Sequence, residues 1–167
     1  LDGTLTDSQV GIINSLTYAF QQMGLPLPAK SLLKKFIGPP LSQSFQEFCG
    51  LSQSQSQEAI GYYRHYFADK GWKENQVLPG VSDLLSDLKT AGKTLLVASS
   101  KPEIFVKKIL DYFGLSTSFT VIAGASLDDS RAQKSQVIAH ALKSAGISDL
   151  KTCVMVGDRK HDVEGAK

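Results

Sequence analysis

The 167 residues of this chain are 42% hydrophobic and 20% charged, a composition typical of a globular protein with one substantial core or a core and a small lid. The formal net charge of +2 is too small to indicate binding to nucleic acid or to an anionic membrane. No apolar stretch is long enough to predict a membrane span, and two distant cysteines, Cys49 and Cys153, are typical of reduced thiols in the cytoplasm.

Residues 9–78 are predicted to be helical throughout. Ile13, Leu16 and Phe20 recur at the spacing that places apolar side chains on one face of a helix. Aromatic residues repeat this spacing after a stiff Gly-Pro-Pro turn at 38–40, and they are most simply core residues. We therefore expect an all-helical domain with a core of its own.

From Pro79 onward the pattern changes to an alternation of helices and strands. The predicted helices are 81–88, 102–113 and 134–145, and the predicted strands are 94–98, 119–123 and 152–156. Such alternation implies right-handed βαβ units and a parallel sheet. The chain is therefore predicted to be an α/β protein with a Rossmann-like parallel sheet. Its core would comprise residues 1–8 and 79–167, and the all-helical domain of residues 9–78 would be an inserted lid.

Two carboxylates follow the last predicted strand. The apolar run 153–156 stops at Gly157, after which come Asp158 and Asp162. Acidic groups at the carboxyl end of a parallel strand lie where α/β sheets bind ligands. The two carboxylates would share a face if the chain turned helical after Asp158, and Mg²⁺ prefers such oxygen ligands. On this motif alone, a solvated polar turn explains the residues equally well.

Three further short stretches become informative when they are considered together with the motif at 153–162. Residues 1–4 are Leu-Asp-Gly-Thr, an apolar run ends at Ser99, and Lys134 begins a predicted helix. Each is common by itself, as a turn, a cap or a solvated lysine. Together they resemble the haloacid dehalogenase superfamily of phosphotransferases. The stretches 37–41 and 156–163 look closest to its phosphoglycolate phosphatase and 5′-nucleotidase-like branch.

The resemblance implies a Mg²⁺-dependent phosphatase that passes through an aspartyl-phosphate. Because the family opens with Asp-x-Asp-Gly-Thr, its nucleophilic Asp would lie immediately before Leu1. The strand that carries this Asp belongs near the middle of the sheet, and a further strand is expected after Lys167. We therefore expect the whole protein to extend beyond these residues.

The resemblance also implies a role for each motif residue. Asp2 would be general acid and base, and its backbone carbonyl would reach Mg²⁺. The Ser99 hydroxyl and the Ser100 backbone N–H would bind phosphoryl oxygens, and Lys134 would neutralise the phosphate and the nucleophile. The implied catalytic residues are Asp2, Ser99 and Lys134; the implied substrate-binding residues are Gly3, Thr4, Ser99, Ser100, Lys101 and Lys134; and the implied Mg²⁺ ligands are Asp2, Asp158 and Asp162.

Three other polar residues near these motifs have no assigned role. Arg131 and Arg159 are candidates for substrate contact, although solvated side chains explain them equally well. His161 is predicted not to bind the metal, because it would point away from a helix face shared by Asp158 and Asp162.

The alternatives differ in what happens to the phosphate. A halide-releasing dehalogenase of the same superfamily lacks the second Asp of the first motif, and Asp2 is present, so this alternative is excluded. A sugar phosphomutase and an inactive phosphate-binding module stay open. The expected partner is a small phosphorylated metabolite such as phosphoglycolate, a nucleoside monophosphate or a sugar phosphate, with no nucleic acid or membrane involved.

Overall fold

In the computed structural model, which describes residues 1–127 and 130–167, the chain divides into two compact units. One comprises residues 1–6 and 77–167, and the other residues 7–76. The chain crosses from one to the other at two short strands that pair with each other, β1 (Thr6–Asp7) and β2 (Gln76–Val77). The assignment of the second unit as a lid stays a prediction.

The unit of residues 7–76 is helical, as the apolar spacing predicts. Its α-helices are α1 (Gln9–Gln22), α2 (Lys30–Leu33), α3 (Leu41–Cys49) and α4 (Gln53–Tyr66), with a 3₁₀ turn at Lys34–Phe36 and a π-helical turn at Phe67–Gly71. Phe45 is fully buried, and its ring centroid lies 5.1 Å from that of Phe36 and 5.9 Å from that of Phe20. These aromatic contacts give the unit its own core.

The unit of residues 1–6 and 77–167 has the predicted α/β organisation. Its remaining helices and strands are α5 (Val81–Thr90), β3 (Leu96–Pro102), α6 (Glu103–Tyr112), β4 (Val121–Ala125), α7 (Lys134–Ser144) and α8 (Lys160–Gly165). Strands β3 and β4 run parallel and are connected through α6. The parallel sheet and the α/β fold class are therefore confirmed.

Helices cover both faces of this sheet. Val97 packs in a buried cluster with Val106 and Leu110 of α6. Ala123 packs with Val137 and Ala141 of α7 in a second cluster. Because side chains alternate along a strand, a sheet buried on both faces needs apolar residues at successive positions. This requirement explains why β3 and β4 begin as continuous apolar runs.

The ladder between β3 and β4 is interrupted near the end of β3. Ala98 pairs with Ala123 and Pro102 pairs with Ala125, so three residues of β3 lie opposite one residue of β4. Such a bulge bends a strand and redirects its side chains. The three residues are Ser99, Ser100 and Lys101, all of which are predicted site residues.

The strand predicted over 152–156 is wrong. Leu150–Thr152 form a 3₁₀ turn, and the residues after it have no regular structure. Val154 is 87% exposed and Val156 is 71% exposed, and Cys153 is exposed as well. A strand is stabilised by pairing with a neighbour, and no strand in the described part of the chain pairs with this segment. The apolar run was therefore not sufficient to predict a strand.

The two carboxylates after this segment also differ from the expectation. Helix α8 begins at Lys160, so Asp162 lies on the helix and Asp158 precedes it. The two side chains therefore do not share a helix face.

Among the helices of residues 1–127 and 130–167, none combines the length and the apolar character that a bilayer crossing requires.

Candidate active site

Side-chain contacts join residues from all four sequence motifs. Lys101 pairs with Asp2, and Lys134 pairs with Asp162. Lys134 also donates a hydrogen bond to the backbone carbonyl that directly precedes Ser99, and the Thr4 hydroxyl donates to Asp158. The fold therefore brings the four motifs together.

Asp2 and Lys101 form the first of two ion pairs. Asp2 Oδ1 lies 3.2 Å from Lys101 Nζ, and the two side chains are only 16% and 7% exposed. Lys101 reaches Asp2 from the bulge of β3. The sequence placed Lys101 only as a candidate for substrate contact, and nothing in the sequence pattern indicated that it lies beside Asp2.

Lys134 and Asp162 form the second ion pair. Lys134 Nζ lies 2.8 Å from Asp162 Oδ1 and donates a 3.0 Å hydrogen bond to the backbone carbonyl of Ala98. The Arg159 backbone N–H donates to Asp162 Oδ2 at 3.0 Å. Burial by itself raises the pKa of Asp162, but the hydrogen bonds from Lys134 and Arg159 outweigh it and hold this pKa below its usual value. Each carboxylate oxygen of Asp162 thus has one donor of the chain beside it.

Asp158 lies against the turn formed by residues 2–4. Thr4 Oγ1 donates to Asp158 Oδ1 at 3.0 Å, and Arg159 Nε lies 3.1 Å from Asp158 Oδ2. Gly3 has a φ of +80°, a left-handed conformation that favours glycine. A Cβ atom added at Gly3 would lie 2.7 Å from Asp158 Cγ, a separation that real Cβ atoms do not reach. Glycine at this position therefore permits the contact between the turn and the carboxylate.

Ser99 is buried in the bulge of β3, with only 3% of its surface exposed. Its Oγ accepts a 3.2 Å hydrogen bond from the Lys101 backbone N–H. A serine oxygen that accepts one hydrogen bond can still donate its own proton. The hydroxyl therefore has a proton to offer to an anion, while its acceptor bond fixes the conformation of the bulge.

The oxygen atoms beside Gly3 suit a hard cation such as Mg²⁺. The Asp158 carboxylate accepts a hydrogen bond from Thr4, in the turn that also contains the Asp2 carbonyl, and oxygen donors of this kind are the ligands that Mg²⁺ prefers. Within the described residues, no group of three His, Cys, Asp or Glu side chains is close enough to hold a metal. The ligand set of Asp2, Asp158 and Asp162 therefore stays a prediction.

Two of the remaining polar residues have partners outside this cluster. Arg131 forms an ion pair with Glu103, whose carboxylate oxygen Oε2 lies 2.8 Å from Arg131 Nη2. His161 Nδ1 lies 3.5 Å from Glu164 Oε2, and the His161 side chain is 44% exposed. Glu103 was missed by the sequence analysis. Its position directly after Pro102, where an acidic residue favours a helix start, was the available signal.

All 167 residues match the family model described as haloacid dehalogenase-like hydrolase. The chain belongs to this family. The resemblance inferred from the four motifs is therefore confirmed, together with the fold class that it implies. As in other members of the haloacid dehalogenase-like family, any reaction has to be assigned from the site itself, since one fold supports several activities.

Several relatives cover almost the whole chain. Tyrosine-protein kinase PtkA of Mycobacterium tuberculosis is 46% identical over 99% of this chain, which spans 56% of that relative's length. The 5′-nucleotidase of Pseudomonas aeruginosa is 41% identical over 99% of this chain and 75% of its own length. The crystal structure of a predicted phosphatase from Clostridium acetobutylicum gives a TM-score of 0.93 at 44% identity, over 99% of this chain and 76% of that one.

Proposed function

We propose that the whole protein is a Mg²⁺-dependent phosphatase that hydrolyses a small phosphate monoester through an aspartyl-phosphate. The observation that carries this proposal is the presence of two largely buried ion pairs, Asp2 with Lys101 and Lys134 with Asp162, the second of which is bonded to β3 through the Ala98 carbonyl. In the family, the nucleophilic Asp is the residue two positions before Asp2. Attack by a carboxylate on a phosphate requires a cation and a group that transfers a proton, and we assign these roles to Lys134 and Asp2.

Positive charge is the first requirement of the reaction. A carboxylate that attacks a phosphate dianion is repelled by it, and preorganised cations offset this repulsion. Lys134 is held at the site by the Ala98 carbonyl and by Asp162, so its ammonium group is already oriented before substrate arrives. When bound, Mg²⁺ would offset further phosphate charge, with Asp158 and the Asp2 carbonyl holding it and Asp162 contributing directly or through water.

Proton transfer is the second requirement. We assign Asp2 as the general acid that protonates the leaving oxygen and as the base that then activates water. Lys101 holds the Asp2 carboxylate in place through the 3.2 Å ion pair. The Ser99 hydroxyl and the Ser100 backbone N–H would bind the phosphoryl oxygens, supported by the fixed bulge of β3. The helical unit of residues 7–76 would serve as the lid that recognises the rest of the substrate.

Removal of the metal tests the cofactor assignment. We expect a chelator in excess to abolish phosphate release by the whole protein, and added Mg²⁺ to restore it, because the phosphate charge would then be offset only by lysines. The measurement is phosphate release from a panel that contains phosphoglycolate, nucleoside monophosphates and small sugar phosphates. Full activity in excess chelator would show that the assignment of Asp158 and Asp162 to a metal is wrong.

Gly3→Ala tests the contact between Asp158 and the turn. A side chain at a position with positive φ lowers the free energy of unfolding by about 1–2 kcal/mol. Substitution of Gly80, whose φ is also +80°, carries the same backbone penalty. An added Cβ at Gly80 meets no atom within 4 Å, so Gly80→Ala is a matched control. We expect Gly3→Ala to lower kcat/KM at least about tenfold by displacing Asp158, and Gly80→Ala to retain activity. Equal activity in both variants would contradict a catalytic role for this contact.

A protein-tyrosine kinase is a second candidate, because a relative of that name is 46% identical to this chain. The two activities, and the sugar phosphomutase alternative, differ in the acceptor of the phosphoryl group. We expect the label from a ³²P-labelled ester to appear as free phosphate. Label on a protein tyrosine after incubation with labelled ATP would favour the kinase, label moved to a second sugar hydroxyl would favour the mutase, and binding without transfer would favour a phosphate-binding module.

A further inference from the structure

Glu103 and Arg131 lie outside the four motifs but form a closed network directly beside two of them. Arg131 Nη2 lies 2.8 Å from Glu103 Oε2, and Arg131 Nε donates to the Gly124 carbonyl at 2.9 Å. The Gly124 N–H in turn donates to Glu103 Oε2 at 3.3 Å. Each of these three residues is thus bonded to both of the others. We propose that Glu103 and Arg131 are positioning residues that hold Lys134 at the phosphate, an inference that rests on the proposed function.

The Glu103 side of this network is anchored to the bulge of β3. Glu103 is the first residue of α6 and follows Pro102, the last residue of β3. A Cβ added at Gly124 would lie 2.6 Å from the Glu103 nitrogen and 2.6 Å from the Lys101 carbonyl oxygen. Because Gly124 has no side chain, the start of α6 contacts the backbone of β4 directly, and the network is built on the two strands themselves.

Arg131 connects this network to Lys134, which follows it by three residues in the chain. The Arg131 N–H donates to Ser126 Oγ at 2.8 Å, and its carbonyl accepts from the Ser126 N–H at 3.1 Å. The next two backbone N–H groups, those of Ala132 and Gln133, donate to Gln136 Oε1 at 3.2 and 3.1 Å. Helix α7 then begins at Lys134. Side chain and backbone of Arg131 are therefore both fixed immediately before the helix that carries the catalytic lysine.

Lys134 needs such support because a lysine side chain is long and rotates freely. Its ammonium group is held by two acceptors, the Ala98 carbonyl and Asp162, and both distances depend on where the first turn of α7 lies. A displacement of about 1 Å at a reacting group can cost about a hundredfold in rate. The Glu103–Arg131 pair links the start of α7 to the end of β3, which is the strand that supplies Ala98.

A double-mutant cycle separates positioning from a general contribution to folding. We expect Arg131→Gln and Glu103→Gln each to lower kcat for an activated ester about ten- to hundredfold, with KM changed little. The matched control is Lys107→Gln, since Lys107 Nζ pairs with the other oxygen of Glu103 at 2.6 Å but is 54% exposed. When Lys134→Gln is already present, Arg131→Gln should cost nothing further. Losses that multiply in the double variant would overturn the proposal.

A second measurement does not depend on phosphatase activity. In the whole protein, brief treatment with acetic anhydride followed by mass spectrometry gives the acetylation rate of each lysine. We expect Arg131→Gln to raise the rate at Lys134 more than about threefold and to leave Lys143, an exposed lysine of the same helix, unchanged. Lys107→Gln should alter neither rate. An unchanged rate at Lys134 would overturn the positioning role even in an active enzyme, whereas a raised rate in a protein that releases no phosphate would count against the proposed function alone.

Discussion

Asp2→Asn is expected to lower the steady-state turnover of the whole protein by about a hundredfold to ten-thousandfold while the fold stays intact. The amide preserves the volume of the side chain and the backbone carbonyl that would face the metal. It cannot deliver a proton to the leaving oxygen or take one from water. Asp2 and Lys101 are paired at 3.2 Å, so the variant also removes the ion pair, and the melting temperature has to be measured alongside.

The two halves of the Asp2 reaction can be separated with an activated ester. Its leaving group needs no proton, so the first step should be partly rescued in Asp2→Asn. The aspartyl-phosphate should then accumulate, because no base activates water, and rapid-quench measurement of phosphate release and of labelled protein detects it. Asp83→Asn, in the exposed first turn of α5, is the matched control and should behave as the unmodified protein. If folded Asp2→Asn turns over as fast as the unmodified protein, Asp2 has no catalytic role and only stabilises the turn.

The α/β fold class could be predicted because each local signal agreed with the final packing. The alternation of helix and strand patterns after Pro79 predicted the parallel pairing of β3 and β4, and both strands are covered by helices. The run at 152–156 is mostly apolar, like the first residues of these strands, yet Val154 and Val156 are exposed. Composition reports the tendency to be extended, whereas a strand also needs a neighbour to pair with, which no local pattern specifies.

The candidate site was predicted as a set of residues but not as a set of contacts. Order along the chain indicated Asp2, Lys134 and Asp162, and the fold places each of them in a largely buried ion pair. The pairing of Lys101 with Asp2 depends on the bulge of β3, and a bulge depends on the register with β4. The link from Glu103 to Arg131 joins residues of two different helix–strand connections. Such contacts follow from tertiary structure, so sequence spacing alone could not have shown them.

Lys134→Gln is expected to lower turnover by about a hundredfold or more, because it removes a preorganised cation from the phosphate site. Glutamine can still donate a hydrogen bond to Asp162, so the carboxylate is not left without a donor. Lys101→Ala should cost far less, since Lys101 acts through Asp2 and Lys134 would act on the phosphate itself. Lys143→Gln, an exposed substitution on the same helix, is the control for changes of charge on α7.

The pH dependence of stability gives an independent readout of the same substitution. The pKa of Asp162 lies below its usual value of 3.8, so the ion pair contributes stability that is present above about pH 4 and is lost as the pH falls through the lowered pKa. In Lys134→Gln the hydrogen bond from the Arg159 N–H remains but the lysine charge is gone. The melting temperature should therefore fall less between pH 5 and about pH 2 in this variant than in the unmodified protein. Identical acid profiles, together with a turnover loss no larger than that of Lys101→Ala, would show that Lys134 is not the cation of the site.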